Sequence, residues 1–438
     1  SGLSSNRVTV FNQFMRVETQ EAGAEHGMEI SGFGVGSVEV IKGPMSVLYG
    51  SDAIGGVLYV NPDSYYKGEG SEIELGTIYN SNYQGLTTNL GIKGGSNKLS
   101  YLVQASLVDN KDFNTPDGEV ENTYFKNSDL KFGLGYTSDN FISDLRVNIN
   151  DSEIGIPPGE ENHDDHDDHD DHDDDDHDDD DHDEDHDEDH EEHEEEKSYQ
   201  DLTNTMISWK NRFLFENRSE IEFTLGFSSN KRKEFGHHEE EGHDDHDDDD
   251  HDDDDHDDDD HDDDHDDHDE HGEGPALNMD LETTTFDLKY IFPKSEKLEL
   301  VFGTNILSQT NTNFGEEELI PDADKRDFGV YALSHIHASK WDVLIGLRTD
   351  NRKITTSDFD KNYNSLNASL GFKRDFSTNK IFRLNFSNGY RAPNLSELFS
   401  DGVHHGTAQY EIGDSNLIEE KNFQTDISIS AFDSDSSF

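Results

Sequence analysis

The stretch S-E-I-E-F-T-L-G-F at residues 219–227 decides the fold. Ile221, Phe223, Leu225 and Phe227 fall on one face, and Glu220, Glu222, Thr224 and Gly226 on the other. A period of two is the signature of a β-strand, because successive side chains point to opposite faces. The same pattern recurs outward from this stretch. Phe382, Leu384 and Phe386 alternate with Arg383, Asn385 and Ser387, and Ile427, Ile429 and Ala431 with Asp426, Ser428 and Ser430. Similar segments lie near 72–79, 84–92, 98–108, 123–137, 141–150, 200–215, 281–292, 297–308, 325–338, 341–350 and 364–376. The pattern predicts roughly fourteen strands of about ten residues, the length a tilted strand needs to cross a bilayer.

The connections alternate as well. Those at 93–97, 138–140, 216–218, 293–296, 338–340 and 377–380 are short, and those at 110–121, 151–198, 235–280, 309–324, 351–363 and 391–419 are long. Tight turns at one rim and long loops at the other predict an all-β, transmembrane antiparallel β-barrel. A soluble β-sandwich or jelly roll also alternates, but its strands are shorter and its long loops are not confined to one end. No run of 18 apolar residues exists that could form a transmembrane helix.

Charge is distributed unevenly. Of 102 acids, 27 lie at 160–196 and 25 at 239–273, leaving 50 against 33 bases elsewhere. With no basic patch to neutralise phosphates, nucleic acid is not an expected partner. The absence of cysteine excludes disulfides, thiolate metal sites and Cys nucleophiles. No G-x-S-x-G elbow or complete phosphate loop is present, so no enzyme is read from the chain.

Residues 1–60 have a different texture, glycine-rich and mixed. Short strands are expected at 7–11, 38–41 and 57–60, with turns at Gly43-Pro44 and Gly55-Gly56. Residues 38–60 read V-E-V-I-K-G-P-M-S-V-L-Y-G-S-D-A-I-G-G-V-L-Y-V. This run closely resembles the end of the plug domain of TonB-dependent outer-membrane receptors. Residues 389–414, G-Y-R-A-P-N-L-S-E-L-F-S-D-G-V-H-H-G-T-A-Q-Y-E-I-G-D, resemble a barrel strand of the same family entering a long extracellular loop. Asn416-Leu417 followed by Glu419-Glu420 resembles the descent into the next strand. The resemblance implies a partial plug at 1–66 and an incomplete barrel at 67–438, with extracellular loops at 151–198 and 235–280. About 14 strands stand against the 22 of such transporters. An internal fragment is therefore expected, lacking the TonB box, the start of the plug and the C-terminal strands. The partners implied are outer-membrane lipid and the TonB-ExbB-ExbD energy-coupling complex, with location in the bacterial outer membrane.

Both acidic inserts are studded with histidine. The first carries His163, His166, His169, His172, His177, His182, His186, His190 and His193. The second carries His237, His238, His243, His246, His251, His256, His261, His265, His268 and His271. Imidazole with carboxylate suits Zn²⁺, Cu²⁺ and Ni²⁺. Intervals of three to five residues suit many weak sites better than one rigid cage, and a purely solvating acidic loop would need no histidine. Calcium fits less well, because no D-x-D-x-D-G pattern with a closing Glu is present. More compact candidates are Glu25 and His26 in G-A-E-H-G-M-E-I, and His404 and His405 in D-G-V-H-H-G-T, with Asp401, Glu411 and Asp414 nearby. These segments resemble ones found in the zinc-acquisition branch of the family. His335 and His337 share one strand face and are read as filling the lumen. The expected function is TonB-dependent import of a divalent transition metal, zinc first, with no other cofactor. The competing expectations are a haem or metal-chelate receptor, since histidine also ligates haem, and a surface metal-binding protein that does not transport.

Overall fold

A computed structural model describes residues 7–19, 30–50, 52–157, 197–236, 274–315, 318–377, 380–404 and 409–431. The chain begins with a small sheet of β1 (Thr9–Asn12), β2 (Met15–Val17), β3 (Val35–Ile41) and β4 (Val57–Pro62). Its order is β2-β1-β4-β3, with β1 parallel to β4. Between β3 and β4 lies a 3₁₀ helix, Gly43–Leu48, which begins at the expected Gly43-Pro44 turn. Gly43, Gly50 and Gly56 take φ of 71°, 126° and 114°, backbone that a side chain would strain. The core of this plug is Phe11, Ala53 and Val57, with Tyr49 and Tyr59 packed alongside. Phe11 stacks on Tyr59 with centroids 5.7 Å apart.

A large antiparallel sheet follows: β5 (Gly70–Asn80), β6 (Gly85–Gly95), β7 (Leu99–Asn110), then, after the hairpin β8 (Phe113–Thr115) and β9 (Gly118–Val120), β10 (Phe125–Thr137), β11 (Phe141–Gly155), β12 (Tyr199–Leu214), β13 (Glu220–Phe235), β14 (Leu277–Ile291), β15 (Leu298–Asn313), β16 (Ala323–Ala338), β17 (Trp341–Thr355), β18 (Asp360–Ser377) and β19 (Lys380–Arg391). A helix α1 (Leu395–Phe399) and the hairpin β20 (Asp401–His404) and β21 (Gln409–Ile412) precede the last strand, β22 (Glu420–Ala431). Each strand of the large sheet pairs with its neighbour in sequence, giving fourteen strands among the described residues, with β5 and β22 at the edges.

The strand count agrees with the periodicity, but the length does not: these strands run 11 to 18 residues. In longer strands such as β13 and β17 the apolar alternation stops short of the long-loop end. In β13 the outward Ile221, Phe223, Leu225 and Phe227 give way to Ser229, Lys231 and Lys233. In β17 the outward Val343, Ile345 and Leu347 give way to Thr349, Asn351 and Lys353. The strands therefore continue past the apolar band as a polar extension. The loops shorten to match: the expected 351–363 connection is only residues 356–359. Residues 81–84 also form a tight turn at the long-loop rim.

The opposite face is polar and buried, including Thr224, Ser228, Asn230, Arg232 and Glu234 of β13. Apolar residues outside and polar residues inside is the reverse of a soluble protein and the rule for a membrane barrel. Aromatic side chains gather near the short-turn rim. Phe141 meets Phe213 at 4.6 Å, and Phe292 meets Phe302 at 5.7 Å, as a girdle at a membrane–water interface would.

The plug lies against this polar face. Arg146 of β11 donates to the Asp63 carbonyl at 3.0 Å, and Arg348 of β17 to the Val47 carbonyl at 3.2 Å. Met15, fully buried, sits over Gly226 of β13, where an added Cβ would stand 3.0 Å from the Met15 Cβ. For one small domain to touch strands so far apart, the sheet must curve around it.

Candidate functional site

Strand direction alternates, so the roots of both His/Asp tracts lie at one rim, after β11 and before β12, and after β13 and before β14. The connection from β19 to β22 leaves the same rim. It is fastened at three points. The Arg391 guanidinium donates to both oxygens of Glu397, at 2.7 and 2.8 Å, and to Glu420 at 3.2 Å. Glu420 also accepts from Arg7 of the plug at 3.0 Å. Leu398 of α1 is buried with Ile354, Tyr363, Tyr390 and Ala392. Beyond α1, the Asp401 amide donates to the Leu319 carbonyl at 3.3 Å, and the Gly413 amide to the Ser400 carbonyl at 2.6 Å. Charge pairing and apolar packing thus place the β20–β21 hairpin at the mouth.

Within that hairpin Asp401 pairs with Ile412, and Glu411 with Gly402. The two carboxylates therefore stand on opposite faces and do not come together. The Tyr410 hydroxyl donates to Asp401 at 2.9 Å. The backbone of His404 closes β20; its side chain, with Glu25, His26 and His405, lies outside the described residues. So do the tract histidines, from His163 to His193 and from His237 to His271.

Between plug and wall near this rim is a cavity of about 770 Å³. Ile30 and Phe33 line it from the plug, and Asn89, Asn127, Gln200 and Arg232 from the wall. It reaches Pro157, next to the first tract. On other strands of the wall, plug and wall are joined by six charges of alternating sign: Lys325, Glu18, Arg16, Asp52, Arg352 and Asp327. Arg16 lies 2.5 Å from Glu18 and 2.6 Å from Asp52, while Arg352 lies 2.6 Å from Asp52 and 2.5 Å from Asp327. Lys325 closes on Glu18. Burial alone would push the Asp52 and Glu18 carboxyls up. The flanking cations, Arg352 and Arg16 at Asp52, and Arg16 and Lys325 at Glu18, hold both well below the usual range, Glu18 at about 2.

At the opposite, short-turn rim, the wall brings His335 and His337 of β16 together with Asp342 of β17. The histidines had been read as lumen filling. Their carboxylate neighbour was missed, although a two-residue turn at 339–340 places position 342 opposite 337.

Residues 62–438 match the family described as "TonB dependent receptor-like, beta-barrel", and residues 1–57 match "TonB-dependent Receptor Plug Domain". The chain belongs to the TonB-dependent receptor family. As a member, this receptor is an outer-membrane β-barrel protein. It is 30% identical over 156 residues to the vitamin B12 transporter BtuB of Vibrio vulnificus (strain CMCP6), covering 35% of this chain and 23% of that one. The FrpB iron transporter of Neisseria meningitidis (F3-3 variant) superposes with a TM-score of 0.70 at 14% identity, covering 98% of this chain and 63% of that one. The copper transporter OprC gives 0.67 at 13% identity, over 98% and 62%. The siderophore receptor PirA of Pseudomonas aeruginosa gives 0.64 at 14% identity, over 99% and 65%. At these identities the structural likeness concerns the fold alone. The receptor chain spans less than two thirds of the length of each of these proteins.

Proposed function

We propose that the receptor imports a divalent transition-metal ion, zinc first, in a TonB-dependent manner. The observation that carries this reading is that two tracts with nineteen histidines among 52 carboxylates are both rooted at the rim that bears the β20–β21 hairpin. The tracts raise the local ion concentration at the cell surface through many weak, interchangeable sites. From there the ion passes to a tighter site drawn from Glu25, His26, His404 and His405, assisted by Asp401 or Glu411. Since Asp401 and Glu411 face opposite ways, one of them serves at a time. Copper and nickel compete for the same ligands. Energy from TonB-ExbB-ExbD displaces the plug, with the six-charge chain between plug and wall as the contact that must open.

Uptake of labelled zinc by cells carrying the complete gene product tests this. The His26→Ala, His404→Ala double variant should lose saturable uptake at low zinc, and unchanged uptake would remove these residues from the site. A second reading rests on the cavity of about 770 Å³, whose Ile30 and Phe33 suit an organic ligand better than a bare ion. On that reading the cargo is haem or a metal chelate, and haem suppresses zinc binding by competition. A surface protein that binds metal without transporting it would retain capture and show no accumulation inside the cell.

A further inference from the structure

A cluster of His and carboxylate side chains lies where β15, β16 and β17 reach the short-turn rim, opposite the rim at which the tracts are rooted. The registers align its members. Glu299 is opposite His335, and His337 is opposite Asp342. All four lie on the lumen-facing parity of their strands, the parity of the buried Tyr331, Leu333 and Arg348. The His337 Nδ1 lies 2.8 Å from Asp342 Oδ1, and the His335 Nε2 lies 3.8 Å from the same oxygen. On its other side the His337 Nε2 lies 3.8 Å from Glu299 Oε1. The two imidazole rings are 4.1 Å apart between centroids. One ligand atom from each of His335, His337 and Asp342 fits within 4.8 Å of the others. Ligand atoms around a tetrahedral Zn²⁺ are about 3.4 Å apart, given bonds of about 2.0–2.2 Å, so rotations of half-exposed side chains close the set.

A lone His–Asp pair would need no more explanation than a tidy hairpin. Here a second imidazole is added at ring-contact distance, where two imidazolium ions would repel, and a second carboxylate flanks the pair. Two imidazoles with a carboxylate form a donor set that a divalent cation stabilises. Lys373, 3.5 Å from Asp342 Oδ2, balances the charge of the carboxylate when no cation is bound.

We propose that His335, His337 and Asp342, with Glu299 flanking His337, form a divalent transition-metal site on the lumen wall at the short-turn rim. Under the import reading above, on which only this role rests, it receives the ion as it leaves the plug. Trp341, next to Asp342, is the natural reporter, and Trp209 is the only other indole of the chain. The test is titration of the purified receptor carrying Trp209→Phe with Cu²⁺, following Trp341 fluorescence. Saturable quenching that excess Zn²⁺ reverses is expected. The His335→Gln, His337→Gln variant should raise the half-saturating copper concentration by at least about tenfold, the scale on which even outer-shell partners tune metal affinity. Should that variant fail to fold, Asp342→Asn should shift the titration in the same direction. Quenching that is unchanged in either folded variant, or absent from the Trp209→Phe protein, overturns the site. This titration reads binding to purified protein, so its failure is distinguishable from a failure of cells to import zinc.

Discussion

Asp52 shows what single residues contribute to this receptor. Its carboxylate sits 2.6 Å from both Arg16 of the plug and Arg352 of the wall, away from solvent. Asp52→Asn leaves two buried guanidinium groups facing each other, at a cost of about 3–5 kcal/mol. Chemical denaturation of the purified receptor should show this loss, and an unchanged midpoint would mean that the charges are solvated. The acid response has a definite sign. Glu18 is held at about 2, and Asp52 is also depressed, so their contribution is complete above the unfolded carboxyl value of about 4. It fades as pH falls from there toward about 2. The thermal midpoint should therefore be flat from neutral pH down to about 5 and drop below about 4; a rise on acidification would contradict the ion-pair account. None of this chain of charges was legible in the sequence, because Arg352 lies three hundred positions from Asp52 and nothing local links them. The His335, His337 and Asp342 cluster was within reach of hairpin arithmetic, since a two-residue turn fixes which positions face each other.

At the scale of elements, the periodicity of two revealed all fourteen strands of the large sheet, because lipid on one side and lumen on the other impose strict alternation. Their polar ends were not legible: once both faces meet water, alternation carries no hydrophobic signal. Leu225→Arg, at the exposed centre of the apolar stripe of β13, should destabilise the barrel in lipid by about 2–4 kcal/mol, whereas Lys231→Arg farther along the same face should cost nothing measurable. Equal effects would misplace the band. The helix α1 was overlooked, although N-L-S-E spells a capping box. Glu397 N donates to the Asn394 side chain at 2.7 Å, and Asn394 N donates to the Glu397 carboxylate at 3.0 Å. Asn394→Ala should cost about 1 kcal/mol, seen as faster hydrogen exchange across 395–400 with β19 unaffected.

For the whole molecule, the fold and the family rest on strands, plug and glycine turns, whereas the proposed cargo rests on histidines that the sequence displays openly. Under the proposed function the two tracts serve capture and the loop histidines serve selection, a division of labour with a kinetic consequence. Removing residues 160–196 and 239–273 together should leave maximal zinc uptake intact while raising the concentration needed for half-maximal rate. A barrel that only buffered metal would instead lose its cell-surface zinc in proportion to the residues removed. The most direct measurement is accumulation of labelled zinc by cells expressing the complete gene product, with and without TonB, under zinc limitation. The account predicts saturable accumulation that requires TonB and is not displaced by haem. Zinc accumulation that is the same without TonB, or is abolished by haem, would contradict it.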